Sequence, residues 1–317
     1  MDNWNDESLK IQQALETTQP GCDCVRSAEL LNGERSGYAS RQANAPIGVF
    51  DSGAGGLTIL AALREELPHE HFIYLGDTAH CPYGVRSDAE ITQLTLESCR
   101  FLIARGVKLI VIACNTASQA ALPTLRATIA DVPFIGVVPA VKPAARLTKK
   151  GRIGIAATNQ AAKAIYLRQL IDEFAEGIEA FAEGCPDLVM LVERGQLEGP
   201  VVEETVRRAL QPVLAEDIDV LVLGCTHFPV LRTVIERVAG PKVQVIDSGQ
   251  AIARRTRAVL LAEDRLAPSI LHASGGGVLE VWSTGDPAAF GAVATKILGQ
   301  LVHVQQAQNS VKKTFHS

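Results

Sequence analysis

Two cysteines in this chain stand at the same kind of corner. Lys108-Leu-Ile-Val-Ile-Ala-Cys-Asn-Thr-Ala-Ser118 runs from apolar residues into Cys114, and Asp219-Val-Leu-Val-Leu-Gly-Cys-Thr-His-Phe-Pro229 repeats the layout with Cys225. A thiol at a strand-to-helix corner can be a covalent nucleophile, its thiolate favoured by the helix N-terminus. Two thiols in equivalent corners suggest another use: flanking one carbon across a cleft, they could take a proton from one face and return one to the other. A zinc site of Cys114, Cys225 and His227 uses the same residues, and spacing alone does not exclude it. Inert core cysteines are the third reading, against which stand the polar neighbours Asn115, Thr116, Thr226 and His227.

The elements that would hold these thiols follow from the pattern. Near-continuous Val, Ile and Leu runs bounded by helix-like segments predict parallel strands covered on both faces, whose carboxyl ends gather ligands. The folded part is expected to begin at Pro46, with a strand Ile47-Gly-Val-Phe50 entering Asp51-Ser-Gly-Ala-Gly-Gly56 and a helix to about Leu67. That turn could present backbone N–H groups to an anion. Its glycines do not match G-x-G-x-x-G, and Asp51 would repel a pyrophosphate, which argues against a dinucleotide. A strand at Phe72–Leu75 leads to the loop Gly76-Asp-Thr-Ala-His-Cys-Pro-Tyr-Gly-Val-Arg-Ser87, where Pro82 and Gly84 flank Tyr83; Cys81 and Cys99 read as small apolar fillers. A helix over 88–105, the Cys114 strand, a helix to Ala130 and a strand over 134–138 follow, and Pro139 and Pro143 punctuate a domain crossing. A second α/β unit is expected from Gly151, with strands at 153–157, 178–182, 220–224 and 243–246. Asp247-Ser-Gly249 echoes Asp51-Ser-Gly53 and reads as a second sign of an internal repeat. After a helix over 251–262, a strand and one helix to about Val304 close the fold.

Composition bounds the function. The 317 residues suffice for two domains, the hydrophobic fraction is 47% and the formal charge of −5 provides no basic footprint, so neither nucleic acid nor an anionic membrane is an expected partner. No run reaches the about 18 apolar residues of a membrane span, and the first residues lack a signal peptide's pattern, so a cytoplasmic location is expected. Seven cysteines favour reduced thiols over a disulfide framework. Cys22 and Cys24 form a lone Cys-x-Cys without a second pair at zinc spacing, and residues 1–45 read as a flexible extension.

Taken together, Phe50-Asp-Ser-Gly-Ala-Gly-Gly-Leu57, Tyr74-Leu-Gly-Asp-Thr-Ala79, Pro82-Tyr-Gly84, Ala113-Cys-Asn-Thr-Ala-Ser118, Gly136-Val-Val-Pro-Ala140, Gly224-Cys-Thr-His-Phe-Pro229 and Asp247-Ser-Gly249 resemble the glutamate racemases of the cofactor-independent aspartate/glutamate racemase superfamily. The resemblance spans roughly residues 46 to 300. It implies two flavodoxin-like α/β parallel-sheet domains related by a pseudo-twofold axis, with the site in the cleft between them. Expected boundaries are 46–141 plus 252–304 for the first domain, 142–251 for the second, and 305–317 as a tail. It implies interconversion of L- and D-glutamate for peptidoglycan synthesis with no cofactor and no metal; a racemase of another amino acid such as aspartate is the alternative. A homodimer is expected, and a nucleotide-linked muramyl precursor is a candidate activator. Carried over by position, Cys225 and Cys114 are similar to the acid/base thiols of the L and D faces, and Asp51 and His227 to their assisting groups. Ser52, Tyr83, Gly84, Asn115, Thr116 and Thr226 resemble substrate contacts, as do Asp51 and His227, and Glu193 resembles a glutamate lining the site. Two positions depart from the pattern: Ala157-Thr-Asn-Gln-Ala161 has alanine where a threonine is usual, and Met190 replaces a common proline.

Overall fold

The computed structural model describes residues 43–268 and 276–307. Cys22, Cys24, the remainder of the extension to residue 42, Gly275 and the tail from residue 308 lie outside the described residues.

Two all-parallel sheets carry the fold. In the first, β1 (Ile47–Asp51), β2 (Phe72–Gly76), β3 (Leu109–Ile112) and β4 (Phe134–Gly136) lie in the order β2-β1-β3-β4, and β9 (Leu279–Ser283) and β10 (Val304–Gln306) extend it beyond β2. In the second, β5 (Arg152–Ala157), β6 (Glu179–Gly184), β7 (Val220–Leu223) and β8 (Gln244–Ile246) lie in the order β6-β5-β7-β8. One strand order is thus used twice, and β3 and β7 occupy equivalent places: β3 pairs with β1 from Ile47 opposite Leu109, and β7 with β5 from Ile153 opposite Val220. The strands that lead to the two cysteines are buried at every residue, Leu-Ile-Val-Ile and Val-Leu-Val-Leu, because helices cover both faces.

Around the first sheet run α1 (Leu57–Glu66), α2 (Asp88–Ile103), α3 (Asn115–Thr128), α10 (Gly249–Ala262) and α11 (Pro287–Leu298). Around the second run α4 (Val141–Leu147), α5 (Asn159–Lys163), α6 (Ile165–Phe174), α7 (Pro186–Glu193), α8 (Pro200–Leu214) and α9 (Arg232–Ala239). The main apolar core is continuous between the sheets, holding Ile47, Leu60 and Phe72 together with Leu188, Val206 and Leu221. Below it, Lys108 Nζ meets Glu70 Oε2 at 2.5 Å and also donates to the Arg265 carbonyl at 2.8 Å. Both side chains are almost wholly buried, and burial pulls the Lys108 pKa down against the opposing pull of Glu70. No described helix is long and apolar enough to cross a membrane.

Residues 141–147, in the expected crossing, form a helix; Pro143 sits in its first turn, where a missing N–H costs nothing. Two sequence expectations are corrected. The closing helix ends at Leu298, and Val304–Gln306 is an edge strand whose short, half-exposed pattern carries no period. Asp247-Ser-Gly249 is not the repeat partner of Asp51-Ser-Gly53, since it follows β8, the counterpart of β4, whereas Asp51 ends β1. The two segments share only a local turn, in which the aspartate accepts from the glycine two residues on, at 2.9 Å for Gly53 and 2.7 Å for Gly249.

Candidate active site

The two thiols leave equivalent strand ends and line one small cavity between the sheets. Cys114 caps α3, its sulfur accepting from the Ala117 N–H at 3.4 Å, and lies 3.6 Å from Ser52 Oγ. Cys225 follows β7 and lies 3.5 Å from His227 Nδ1. Ser52, Tyr83, Gly84, Asn115, Thr116, Thr226 and His227 line the same cavity. Asp51 and Glu193 are not lining residues; they stand directly behind the wall. Asp51 is fully buried and accepts from Thr226 Oγ1 at 3.1 Å, and Glu193 Oε1 meets His227 Nε2 at 2.5 Å. Tyr83 contributes its ring, because its hydroxyl is engaged by Asp77 Oδ2 at 2.6 Å.

Each thiol therefore has its own ionisable support. Burial pushes Cys114 up to about 12, and the Asp51 charge pushes in the same direction. Asp51 itself is raised to about 6 by burial and by Glu193, against the pull of His227, Gly53 and Thr226. On the other side, burial opposes a charge on His227, but hydrogen bonds to Cys225, Cys81 and Glu193 outweigh it and hold the imidazolium well above the usual histidine range. Glu193 is the mirror case: burial raises it, yet His227, the Ala54 N–H and Cys81 bring it below an ordinary glutamate. A carboxylic acid that titrates near neutrality beside one thiol, and an ion pair beside the other, is an asymmetric acid/base set.

The glycine turn differs from its expected use. Two of its N–H groups are occupied from within, Gly53 by Asp51 and Ala54 by Glu193 Oε1 at 2.7 Å. The glycines instead permit close approach. A Cβ on Gly53 would lie 2.1 Å from Glu193 Oε1, one on Gly55 2.6 Å from His227 Nδ1, and one on Gly56 2.5 Å from Asp51 Cβ. The turn is thus packed by the ionisable side chains themselves, and Tyr74 fixes it by donating to the Gly53 carbonyl at 2.6 Å.

Sequence reasoning missed two members of the site. Cys81, read as filler, contacts both His227 and Glu193; its loop folds back over the glycine turn, a placement no local pattern announces. Thr158 lines the cavity beside Gly84 and shares a hydrogen bond of 3.0 Å with Thr116, joining the two sheets' helix N-termini. Of the departures, Ala161 is buried beside the adjoining depression and Met190 continues α7 unbroken. Candidate zinc ligands Cys114, Cys225 and His227 all face the cavity, but the described cluster with converging ligand atoms is Cys81, Glu193 and His227.

Residues 57–256 match the family model described as Asp/Glu/Hydantoin racemase. The glutamate racemase of Herpetosiphon aurantiacus is 43% identical over 248 residues, covering 78% of this chain and 96% of that one. Among solved structures, glutamate racemase isoform RacE1 from Bacillus anthracis has a TM-score of 0.76 at 33% identity, covering 84% of this chain and 99% of that one. The Escherichia coli glutamate racemase, in complex with L-glutamate and the activator UDP-MurNAc-ala, has a TM-score of 0.71 at 34% identity, covering 82% and 97%. With fold, paired strand ends and sequence in agreement over most of its length, the chain belongs to the aspartate/glutamate/hydantoin racemase family, among its glutamate racemases.

Proposed function

We propose that Cys114 and Cys225 are the two acid/base groups with which this glutamate racemase interconverts L- and D-glutamate. The observation that supports it most is the pairing of two thiols at equivalent strand ends on one cavity, Cys114 beside the Ser52 hydroxyl and within the field of Asp51, Cys225 beside the His227 imidazole. Cys225 takes the α-proton of L-glutamate and Cys114 supplies one to the opposite face; the reverse reaction exchanges the roles. The α-proton is far less acidic than a thiol of ordinary pKa, about 8.5, so the developing carbanion needs fixed donors and exclusion of water. Ser52, Thr116, Thr158 and Thr226 line the cavity, and in this reading their hydroxyls hold the substrate's carboxylates. Asn115 Oδ1, buried with no hydrogen-bond partner among the described residues, accepts from the ammonium group in this reading. Tyr83 and Gly84 shape the wall. Asp51 receives the Cys114 proton when that thiol must act as base, and His227, held by Glu193, does the corresponding work at Cys225.

D-Glutamate made this way supplies peptidoglycan assembly in the cytoplasm. From the Escherichia coli complex we further propose a nucleotide-linked muramyl precursor as activator; from the family resemblance, a homodimer; and from the division into two sheets, domain boundaries at about residues 141 and 252. Turnover with and without the precursor, and light scattering, test the first two.

Replacement of either thiol tests the assignment. Cys114→Ala and Cys225→Ala should each abolish racemisation in both directions, followed by circular dichroism of L- or D-glutamate, with the far-ultraviolet spectrum of the protein unchanged. Near-native activity in either folded variant would end the two-thiol assignment.

A further inference from the structure

Beside the cavity, Cys81, Glu193 and His227 bring a thiol, a carboxylate oxygen and an imidazole nitrogen within 4.8 Å of one another. They come from three segments: the loop after β2, the last turn of α7, and the corner after β7. Cys81 and Glu193 are half-buried, which leaves a path from solvent, while His227 is buried. Nothing on Gly53 intrudes, since a Cβ there would lie 2.1 Å from Glu193 Oε1 and 3.0 Å from Cys81 Sγ.

We propose that Cys81, Glu193 and His227 form an inhibitory binding site for a borderline divalent cation, Zn²⁺ fitting best; the inhibition, though not the binding, rests on the reading of His227 as partner of Cys225. One sulfur, one nitrogen and one oxygen is a zinc donor set, and a thiolate with an imidazole disfavours magnesium and calcium. Tetrahedral zinc with bonds of about 2.0–2.3 Å separates its donors by roughly 3.3–3.7 Å. The 2.5 Å between His227 Nε2 and Glu193 Oε1 then opens by about an ångström as the proton between them leaves, and Cys81 Sγ closes in, losing its own proton to solvent. Water completes the coordination on the exposed side.

Such an ion stops turnover through His227. It occupies the His227 nitrogen that faces Glu193, so the ring no longer exchanges its proton there while Nδ1 still faces Cys225.

The test uses the full chain carrying Cys22→Ser and Cys24→Ser, so that the extension's thiols add no signal. Metal-free protein titrated with Co²⁺ should develop one equivalent of a sulfur-to-cobalt charge-transfer band, which Zn²⁺ removes. The band should be lost in Cys81→Ala and Cys81→Ser, both checked for native circular dichroism, and retained in Cys114→Ala. Zn²⁺ should inhibit racemisation, reversibly with chelator, and each Cys81 variant should need at least about tenfold more Zn²⁺ to lose half its own metal-free rate. No band, or a band that survives loss of Cys81 and disappears with Cys114, would overturn the site. A Cys81-dependent band with undiminished turnover would overturn the inhibition and place the error in the role given to His227.

Discussion

Asp51 should be a residue that the enzyme keeps at a cost in stability. Its carboxyl is raised from 3.8 to about 6 by complete burial. A folded pKa above the unfolded one means that the native state binds the proton more tightly, so this group's contribution is fully present below about pH 4 and lost as pH rises through about 6. At pH 8 the ionised form costs about 3 kcal/mol, from roughly 2.2 pH units at 1.36 kcal/mol each; at pH 5 the cost is about 1.6 and at pH 4 about 0.6 kcal/mol. Asp51→Asn keeps the shape and both contacts, with Gly53 and Thr226, through an amide turned to suit them. The variant should therefore be more stable than the parent in urea unfolding at pH 8, by up to about 3 kcal/mol, with the gain shrinking to a few tenths towards pH 4. Its kcat/KM should fall by about 10²–10⁴. Because the enantiomers have equal free energy, the fall must be the same in both directions, and only kcat and KM can divide differently. If Asp51 receives the Cys114 proton as proposed, it must be ionised to do so, and the parent's activity should decline as pH falls through about 6. A variant that is less stable at pH 8, or whose gain does not vary with pH, would refute the burial argument; one with native activity would remove Asp51 from the mechanism.

Two further outcomes follow from packing. Gly53→Ala puts a Cβ 2.1 Å from Glu193 Oε1 and must push that carboxylate off Ala54 and His227, so kcat/KM should drop by at least about 10² in a folded protein; circular dichroism of glutamate reads it, and near-native turnover would deny Glu193 its part. Lys108→Met leaves Glu70 buried without its cation and should cost about 3–5 kcal/mol in urea unfolding, most of it recovered by adding Glu70→Gln; a neutral single variant would show the pair to be solvated.

What could be read from the sequence depended on how local each cause was. The strands leading to Cys114 and Cys225 announce themselves because burial on both faces forces continuous apolar runs. Their equivalence was visible for the same reason, and the repeated strand order accounts for it. His227 stood out as a poor core companion, while Glu193 was named through resemblance alone, since its helix shows nothing but amphipathic spacing. Cys81 escaped because its position is set by a loop returning over Gly53, a contact remote in sequence from both Glu193 and His227. The glycine turn misled in an instructive way: glycines next to a helix suggest an anion site, but here their missing side chains make room for the enzyme's own carboxylates and imidazole.

Heavy water tests most directly whether separate thiols serve the two faces of the α-carbon. In heavy water, starting from L-glutamate, the first D-glutamate formed should carry deuterium at Cα, because the returning atom comes from the Cys114 thiol, already exchanged with solvent. Unreacted L-glutamate should stay mostly protiated early on, since the proton held by Cys225 returns only to the face it left. With a control showing that both thiols exchange faster than turnover, early D-glutamate that retains the original proton would contradict two bases and point to one group carrying the same proton across.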